Sequence, residues 1–432
     1  MSGTRVHLET LGCRLNEAEL ETWSRDFRSH GWELVPAPEQ ADLVVVNTCA
    51  VTAEAARKSR QLVRRSHRAN PEAKLVVSGC YATLDSERAA ADLGVDLLVP
   101  NRDKARLVDI ALAELALPTQ PHQATEPDAQ SLLARGRQRA FVKVQDGCRY
   151  RCSYCIVTLA RGAETSRPID DVVAEIQALH AGGIQEIVLT GVHLGGYGSD
   201  RGSHLGELVD AVLARTAVPR IRLGSLEPWD LPPDFWERFA DPRLSPHLHL
   251  PMQSGSDSVL RRMSRRCRSD EFLELAAAGR AAVPDLNLTT DIIVGFPGET
   301  EAEWQETLAF VDRVGFGHVH IFAYSPRTGT KAATLPDPVP RAIKNQRSQA
   351  LHALAQRHKR RFLARHVGRR FAVLVEDRAT DGPGGPVWSG YTPNYLRVGI
   401  AAPADADLGN RILDLRMVGL DADGDMLLAA PA

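Results

Sequence analysis

Strand-like and helix-like stretches alternate along most of the 432-residue chain, and this alternation limits the folds that the chain can adopt. In residues 1–117, strands such as DLVVVNT and KLVVSG are separated by helical stretches such as NEAELETWSRDFRSHG. One helix is predicted to end at Gly31 and the next just before Pro71. Because such units place successive strands parallel and side by side, this segment predicts an α/β fold with a doubly wound parallel sheet.

The middle of the chain, residues 139–335, repeats the alternation six times. Its candidate strands are AFVKVQ, EIVLTGV, RIRLGSL, HLHLPMQ, LTTDIIVGF and HVHIFAY. Thr300 and Glu303 have the T-x-x-E spacing of a capping box, which predicts the start of a helix. Six β/α units predict an open, partial barrel, because the common closed barrel takes eight strands.

The remaining segments predict a linker and a second, smaller barrel. Residues 118–138 are rich in proline, glutamine and alanine, which is typical of a linker. A basic helical connector follows the six units, so the second domain is predicted to span 139–366. Residues 367–432 contain short strands between glycine, proline and aspartate clusters, which predicts a small all-β barrel.

Composition excludes several classes of protein. Lysine and arginine total 52 against 54 aspartates and glutamates, so only local patches could attract a polyanion. No apolar run reaches the roughly 20 residues that span a bilayer, and MSGTRVHLETLGC lacks the pattern of a signal peptide. The seven cysteines are clustered, which indicates metal or catalytic thiols in a reducing compartment. We therefore expect a soluble, cytoplasmic protein without a membrane partner.

Three cysteines lie within the ten-residue stretch GCRYRCSYCI. Cys148, Cys152 and Cys155 have the spacing C-x3-C-x2-C, just after the first strand of the predicted partial barrel. Structural zinc takes four ligands, usually as two such pairs, and this stretch offers one pair and one further cysteine. An iron–sulfur cube normally takes four thiolates, so three would leave one iron open to a small chelating ligand. The alternatives are a zinc site completed from elsewhere and simple reduced thiols.

Three more cysteines each follow a predicted parallel strand of the first segment. Cys13 follows RVHLETLG, Cys49 follows DLVVVNT and Cys80 follows KLVVSG. Because ligands of open α/β sheets gather at the carboxyl ends of the strands, these thiols are expected to converge and to hold a second cluster. The alternative is three small buried side chains. Cys267 has no cysteine near it in sequence and is predicted to be incidental.

Together these stretches resemble the radical S-adenosylmethionine (SAM) methylthiotransferase family over nearly the whole chain. The matching motifs are TLGCRLNEAE, VNTCAVTAEAARKSRQ, SGCYA, KVQDGCRYRCSYCIV, ARGAETSRP, LTGVHLGGYG, LHLPMQSGSD and TTDIIVGFPGET. The resemblance implies an N-terminal methylthiotransferase domain, a radical SAM partial barrel and a substrate-binding C-terminal barrel of the TRAM type.

The resemblance also implies SAM and two [4Fe–4S] clusters as cofactors. One cluster, whose open iron binds SAM, is expected on Cys148, Cys152 and Cys155. The auxiliary cluster is expected on Cys13, Cys49 and Cys80. The residues implied to contact SAM are Tyr154, Gly191, Gln253, Ser254, Asp291 and Gly295. In this family one electron cleaves SAM to methionine and a radical that removes hydrogen from the substrate carbon, and no catalytic side chain is predicted.

Two histidine pairs and one glutamate are weaker signals. His247 and His249 share one face of a predicted strand, as do His318 and His320. A polar lining of the barrel is the main interpretation, and a metal site is the alternative. Glu227 is predicted either to line the pocket or to cap a turn.

Three substrates compete within the family: threonylcarbamoyl-adenosine in tRNA, isopentenyl-adenosine in tRNA, and an aspartate of a ribosomal protein. TLGCRLN, TGVHLGGYG and SPHLHLPMQSGSD resemble the threonylcarbamoyl-adenosine enzymes most closely. The basic stretches KSRQLVRRSHR, RRMSRRCR and QRHKRRFLARHVGRR suit RNA phosphates, whereas the acidic LDADGD would suit a protein substrate. A non-catalytic iron–sulfur sensor that binds RNA is a further alternative.

We therefore expect a transferase that adds a methylthio group to C2 of threonylcarbamoyl-adenosine next to the anticodon. Its expected partners are the anticodon stem-loop of tRNA and an electron donor such as a flavodoxin or ferredoxin system. The sulfur donor is not predicted.

Overall fold

A computed structural model of the protein describes residues 4–86, 94–118, 138–382, 385–403 and 406–431. The chain divides into two compact units, each built from separate segments. Unit 1 comprises Met1–Asp128, Gln145–Thr165 and Ser325–Ala333. Unit 2 comprises Ala129–Val144, Ser166–Tyr324 and Thr334–Ala432. Almost all of the predicted linker lies outside the described residues, and the predicted domain boundaries stay predictions.

Unit 1 contains a five-stranded parallel sheet. Its strands are β1 (Arg5–Thr10), β2 (Glu33–Leu34), β3 (Leu43–Thr48), β4 (Lys74–Gly79) and β5 (Leu97–Val99). Its helices are α1 (Arg14–Ser29), α2 (Ala53–Ala69), α3 (Cys80–Leu84) and α4 (Leu107–Glu114). The spatial order is β2-β1-β3-β4-β5, and every neighbouring pair is parallel. The predicted doubly wound sheet is therefore confirmed.

Both faces of this sheet are covered. Alternate residues of a strand point to opposite faces, and β3 shows this clearly. Val44 packs in one core with Val63 of α2, whereas Val45 packs in the other core with Trp23 of α1. Burial on both faces explains why the strand reads as a continuous apolar run.

Unit 2 contains six parallel strands that follow one another in chain order. They are β6 (Arg139–Lys143), β9 (Glu186–Thr190), β10 (Arg220–Leu223), β11 (His247–His249), β12 (Asn287–Val294) and β13 (His318–Ala323). The short strands β7 (Gln145–Asp146) and β8 (Thr165–Ser166) come between the first two. The sheets β10-β9-β6 and β11-β12-β13 are joined by parallel bridges from Ile221 to Leu244 and from Ser225 to His249. This is the predicted partial barrel.

Helices connect the barrel strands. They are α6 (Ile169–Ala181), α7 (Leu205–Arg215), α8 (Asp257–Arg262), α9 (Ser269–Ala282) and α10 (Glu301–Val314), while α5 (Val157–Arg161) belongs to unit 1. The capping box is present: Thr300 Oγ1 accepts from the Glu303 N–H at 3.3 Å, and the Glu303 carboxylate accepts from the Thr300 N–H at 2.8 Å. The short 3-10 helices are Pro38–Gln40, Asn101–Arg106, Leu194–Gly196, Pro228–Asp230, Pro233–Ala240 and Lys331–Thr334.

The last part of unit 2 is a long helix followed by a closed barrel, as predicted. The helix is α11 (Arg341–Ala364), and the strands are β14 (Arg370–Gly382), β15 (Gly385–Tyr391), β16 (Arg397–Ala401), β17 (Ile412–Leu420) and β18 (Leu427–Pro431). They close in the order β14-β15-β16-β18-β17. The strand β15 was not predicted, because its two glycines and one proline read as a turn.

One fully buried carboxylate holds three arginines at the amino ends of the partial-barrel strands. Glu186 Oε1 accepts from Arg222 Nε at 3.1 Å, and the carboxylate lies 3.8 Å from Arg139 Nε and 3.7 Å from Arg220 Nη1. Burial would raise the pKa of Glu186, but the charges of the arginines lower it to about 2. The carboxylate is therefore ionised at neutral pH, inside the protein.

The same arginines bind the C-terminal barrel. Arg220 donates to the Tyr391 carbonyl at 2.9 Å and also to the Ala372 carbonyl. Arg222 donates to the Pro393 carbonyl at 3.2 Å. Two further contacts involve side chains: Arg139 with Glu376, and Arg222 over the ring of Tyr395 at 4.4 Å. The arginines therefore attach the C-terminal barrel to the end of the partial barrel at which the strands begin.

We expect Glu186→Gln to lower the free energy of unfolding by about 3–5 kcal/mol, because the substitution leaves the buried arginines without their shared anion. Urea unfolding followed by circular dichroism measures this change. The matched control is Glu237→Gln, at an exposed position, and it should change the free energy by less than about 0.5 kcal/mol. Equal effects of the two substitutions would contradict the role given to Glu186.

Candidate functional site

Three cysteines lie at one edge of the unit 1 sheet. Cys13 precedes α1 after β1, Cys49 directly follows β3, and Cys80 is the first residue of α3 after β4. These three strands are neighbours, so their carboxyl ends share one edge. Burial raises the pKa of Cys49 to about 11, and the charges of Cys80 and Cys13 contribute to this rise. The three thiols are thus close enough to interact electrostatically.

A glycine allows the first cysteine segment to approach the second. Gly12 has a φ of +126°, in the region that favours glycine. A β-carbon at this position would lie 2.8 Å from Cys49 Cβ and 3.1 Å from Cys49 Sγ. Any side chain at position 12 would therefore displace Cys49.

Polar side chains hold each of these cysteines. The Ser59 hydroxyl accepts from the Cys49 N–H at 3.0 Å and donates to the Cys49 carbonyl at 2.8 Å. Asn101 Nδ2 lies 3.7 Å from Cys80 Sγ. Asn16 Oδ1 lies 3.7 Å from Cys13 Sγ. Each of the three cysteines is therefore contacted by a polar side chain.

The other three cysteines lie on a compact loop, also in unit 1. The Cys155 N–H donates to the Cys152 carbonyl at 3.0 Å, and the Cys148 N–H donates to the Gly162 carbonyl at 3.2 Å. All three thiols are half-buried and free of disulfides. Tyr154 is half-buried in the turn between the last two cysteines. The loop thus presents three thiols over eight residues.

Arg161 is a site residue that sequence reasoning missed. It ends α5, and its side chain is only 3% exposed. Its guanidinium lies 3.0 Å from a carboxylate oxygen of Glu19 and of Asp146, and it donates to Asn16 Oδ1 at 2.9 Å. Burial would lower the pKa of Arg161, but these carboxylates raise it well above its usual value. Arg161 is therefore a fixed cation, and its charge lowers the pKa of Cys49.

Among the six residues expected to contact SAM, Tyr154 lies in unit 1 and the other five lie in unit 2. Gly191 directly follows β9, and Gln253 is a non-glycine residue with a φ of +77°. Such backbone conformations are costly and cluster at functional sites. Ser254 and Gly295 each make a packing contact within unit 2. The Ser254 hydroxyl is buried 3.1 Å from that of Thr307, and a β-carbon on Gly295 would meet the Lys344 side chain.

Asp291 belongs to a histidine cluster on the inner face of the partial barrel. Its carboxylate lies 3.2 Å from His249 Nε2, and one ligand atom from each of Asp291, His249 and His320 lies within 4.8 Å of the others. The alternate residues of these strands, such as Leu248 and Leu288, lie in the core under the helices. The structure therefore has the polar lining that the histidine spacing predicted. Glu227 pairs with Arg265 at 2.6 Å.

Residues 5–100 match the uncharacterized protein family UPF0004, and residues 142–311 match the Radical SAM superfamily. The threonylcarbamoyladenosine tRNA methylthiotransferase MtaB of Thermotoga maritima is 36% identical over 91% of this chain and 90% of its own length. The chain belongs to the radical SAM methylthiotransferase family. The tRNA-2-methylthio-N(6)-dimethylallyladenosine synthase of Anaeromyxobacter dehalogenans is 37% identical over 94% of this chain and 91% of its own length.

A solved structure shares the fold of this methylthiotransferase. The radical S-adenosylmethionine methyltransferase TsrM from Kitasatospora setae, with cobalamin and a [4Fe-4S] cluster bound, has a TM-score of 0.60 and 15% identity. The similarity covers 77% of each chain. Among the described residues, no helix is both long and apolar enough to cross a membrane.

We expect Gly12→Ala in this methylthiotransferase to lower the bound iron by about four atoms per chain, because the displaced Cys49 can no longer help to hold a cluster. Iron and sulfide analysis after anaerobic reconstitution measures the loss. Gly202→Ala is the matched control, since Gly202 also has a positive φ but has open space around its β-carbon position. Full iron content in Gly12→Ala would contradict the steric argument.

Proposed function

We propose that the protein adds a methylthio group to C2 of threonylcarbamoyl-adenosine next to the anticodon of tRNA. The observation that carries the chemistry is the presence of two three-cysteine sets in one compact unit. The choice of substrate is supported by relatives of that name from Thermotoga maritima, Bacillus subtilis, Chlamydia pneumoniae and Aquifex aeolicus, at 33–36% identity. Isopentenyl-adenosine in tRNA is the second candidate, supported by the Anaeromyxobacter relative.

Both cysteine sets fit open [4Fe–4S] clusters. We assign the SAM-binding cluster to Cys148, Cys152 and Cys155. We assign the auxiliary cluster to Cys13, Cys49 and Cys80. The remaining cysteine, Cys267, is buried in the core of unit 2, and burial raises its pKa to about 12. It offers no fourth ligand, so each set leaves one iron position for a small molecule.

When bound, the cluster on the loop cysteines would supply the electron that cleaves SAM, and the auxiliary cluster would hold the methylated sulfur that is transferred. The chain itself binds and positions the reactants. Arg161 places a buried positive charge beside the auxiliary cysteines, which favours their thiolate form. Tyr154, Gly191, Gln253 and Asp291 are assigned to SAM. Ser254 and Gly295, which also make packing contacts on the loops after β11 and β12, are assigned to SAM as well.

An exposed arginine row suits the tRNA backbone. Arg357, Arg361 and Arg365 are exposed and recur every four residues, on and just after α11, so about 6 Å separates successive side chains along the axis. None of the three has an ion-pair partner within 4.0 Å among the described residues. Arginines without such a partner can release counterions when they bind RNA phosphates.

The protein itself engages two of the three carboxylates in the acidic LDADGD stretch. The Asp421 carboxylate accepts from the backbone of Asp425 at 2.7 Å, and Asp425 pairs with Lys359 at 2.8 Å. The Asp423 carbonyl accepts from Arg360. The Asp425 side chain and the Asp423 backbone therefore contact α11, which weakens the argument for a protein substrate.

The test is mass spectrometry of tRNA nucleosides from cells with and without the gene. We expect methylthiolated threonylcarbamoyl-adenosine to disappear and its precursor to accumulate. Loss of the isopentenyl product instead would favour the second candidate, and unchanged tRNA would overturn both. An electron donor such as a flavodoxin or ferredoxin is part of the proposal, and its removal should give the same nucleoside profile.

We expect the triple substitution of Cys148, Cys152 and Cys155 by alanine to leave about four iron atoms per chain and to abolish 5′-deoxyadenosine formation. The remaining iron would be that of the auxiliary set. Iron analysis and electron paramagnetic resonance measure the first effect, and chromatography measures the second. Cys267→Ala is the control and should keep both. Loss of all iron–sulfur absorption in the triple variant would contradict two independent sites.

We expect the joint substitution Arg357→Gln, Arg361→Gln and Arg365→Gln to weaken binding of an anticodon stem-loop RNA. The slope of log affinity against log salt should fall by about 2–3, because three phosphate contacts are lost. Fluorescence anisotropy at several salt concentrations measures the slope. Arg313→Gln, an exposed position on α10, is the control and should leave the slope unchanged. An unchanged slope in the triple variant would exclude this surface.

A further inference from the structure

A short helix connects the two cysteine sets of unit 1. The helix α5 begins two residues after Cys155, on the cysteine loop, and ends at Arg161. Its last two residues, Ala160 and Arg161, each contact the side chain of an asparagine. Each of these asparagines also contacts a cysteine of the auxiliary set, which comprises Cys13, Cys49 and Cys80. The end of α5 is thus joined to the auxiliary set through two amide side chains.

One of the two asparagines, Asn101, is placed by the same rule as the cysteines. It comes two residues after β5, which lies beside β4 in the sheet, and Cys80 comes directly after β4. Residues that follow neighbouring parallel strands meet at one edge, so Asn101 and Cys80 lie close together. The Asn101 N–H donates to Thr83 Oγ1 at 2.9 Å, and Thr83 belongs to the helix that Cys80 begins. The backbone of Asn101 is therefore tied to the Cys80 segment.

The side-chain nitrogen of Asn101 serves two acceptors. Asn101 Nδ2 donates to the Ala160 carbonyl at 2.8 Å and lies 3.7 Å from Cys80 Sγ. An amide nitrogen carries two hydrogens, so it can donate to both. Because a carbonyl can only accept, the contact with Ala160 also fixes which end of the amide faces the cysteine. Asn101 therefore presents an N–H group to the sulfur of Cys80.

The other end of this amide gives no stability to the fold. Asn101 Oδ1 is buried and has no hydrogen-bond partner among the residues that the structure describes. A buried carbonyl oxygen without a partner costs free energy, and an apolar side chain of the same shape would avoid that cost. The amide is therefore better explained by what its nitrogen binds than by packing.

Arg161 adds a buried positive charge beside the same cysteines. Its guanidinium donates to Asn16 Oδ1 at 2.9 Å, and this oxygen lies 3.7 Å from Cys13 Sγ. The Asn16 amide is itself fixed, since its nitrogen donates to the Leu11 carbonyl at 2.8 Å. Burial raises the pKa of Cys49 to about 11, and the charge of Arg161 opposes this rise. The positive charge of Arg161 therefore acts on the auxiliary set.

Buried carboxylates hold Arg161 in this position. Glu19 and Asp146 each lie 3.0 Å from its guanidinium, and the buried Lys104 pairs with Glu19. Asp146 also accepts from the Gly147 N–H at 2.8 Å, where the cysteine loop begins. One network of ion pairs and hydrogen bonds thus extends from the auxiliary cysteines to the cysteine loop, and Arg161 lies within it.

We propose that Asn101 and Arg161 are positioning residues that raise the reduction potential of the auxiliary cluster. This inference rests on the proposed function, which assigns that cluster to the auxiliary set. The potential of an iron–sulfur cluster depends on its net charge and on the hydrogen bonds to its sulfurs. Reduction adds a negative charge, so an N–H group at a ligand sulfur and a buried cation nearby both favour the reduced form. These side chains thus set the potential of the auxiliary cluster from outside its ligands.

A purely structural role is the alternative, because the same contacts could simply hold α5 against the sheet. The reduction potential distinguishes the two roles. A residue that only supports the fold affects how much cluster is bound, whereas a residue that acts on the cluster changes the potential of the cluster that is bound.

The experiment measures the midpoint potential of the auxiliary cluster in the full chain. Cys148, Cys152 and Cys155 are replaced by alanine in every sample, so that one cluster remains to be titrated. The protein is reconstituted anaerobically, and electron paramagnetic resonance follows its reduction in the presence of mediator dyes. Iron content and circular dichroism verify that each variant is loaded and folded.

Asn101→Leu has a similar shape but no N–H donor. It should lower the equilibrium constant of one-electron reduction about tenfold, which lowers the midpoint potential by about 59 mV. Arg161→Gln should lower the constant by at least as much, because Glu19 and Asp146 then face the site without their shared cation. Arg161→Lys keeps the charge and should hold the constant within about twofold of the parent value.

Asn70→Leu is the matched control. The side-chain nitrogen of Asn70 also donates to two carbonyls in unit 1, those of Pro38 at 3.1 Å and Ala41 at 2.9 Å. The substitution therefore removes a similar pair of hydrogen bonds at a site without a cysteine. It should leave the midpoint potential unchanged.

The outcomes separate this inference from the proposed function. Loss of all iron in the triple-alanine parent overturns the assignment of two clusters, and the inference with it. A loaded cluster with the same potential in Asn101→Leu and Arg161→Gln overturns the inference alone. So does an equal shift in Asn70→Leu. Loss of the cluster from Asn101→Leu but not from Asn70→Leu would show a structural role instead and would also overturn the inference.

Discussion

The ion cluster around Glu186 is the interaction on which the arrangement of unit 2 depends. Buried ion pairs add little stability over apolar packing, but breaking one is costly, so they specify geometry strongly. Three arginines share Glu186, and the surplus positive charge is satisfied by carbonyls of the C-terminal barrel. Burial and the neighbouring arginines lower the pKa of Arg220 to about 10, although Glu186 opposes this shift. Carbonyls of the C-terminal barrel thus accept the hydrogen bonds that the buried Arg220 donates. The ion cluster of the partial barrel therefore has all its partners only when the C-terminal barrel is packed against it.

Both units place their chemistry by the same rule, which is why much of the site could be predicted. Residues that follow parallel strands meet at one sheet edge, whatever their separation in sequence. The rule located Cys13, Cys49 and Cys80 from strand patterns alone, and alternation along a strand located the histidine lining. Strand ends and alternation along a strand can be recognised from a few neighbouring residues, so both patterns are visible in the sequence.

Other features could not be predicted, because they depend on distant partners. Arg161 reads as an ordinary helix-ending arginine, and its partner Glu19 lies 142 residues away. The LDADGD stretch reads as an acidic patch, and the sequence does not show that Asp425 pairs with Lys359 or that Arg360 donates to the Asp423 backbone carbonyl. The contact of the buried Ser254 hydroxyl with that of Thr307, 53 residues away, was not predicted either.

Unit 1 is assembled from three separated segments, the last of which is Ser325–Ala333. The Ala332 N–H donates to the Ser153 carbonyl within the cysteine loop, and the Ser325 hydroxyl accepts from the Ala53 N–H at the start of α2. The ribosome therefore has to synthesise about three quarters of the chain before all three segments of unit 1 are present. The six cysteines of this unit are therefore synthesised before its last segment, which packs beside the cysteine loop.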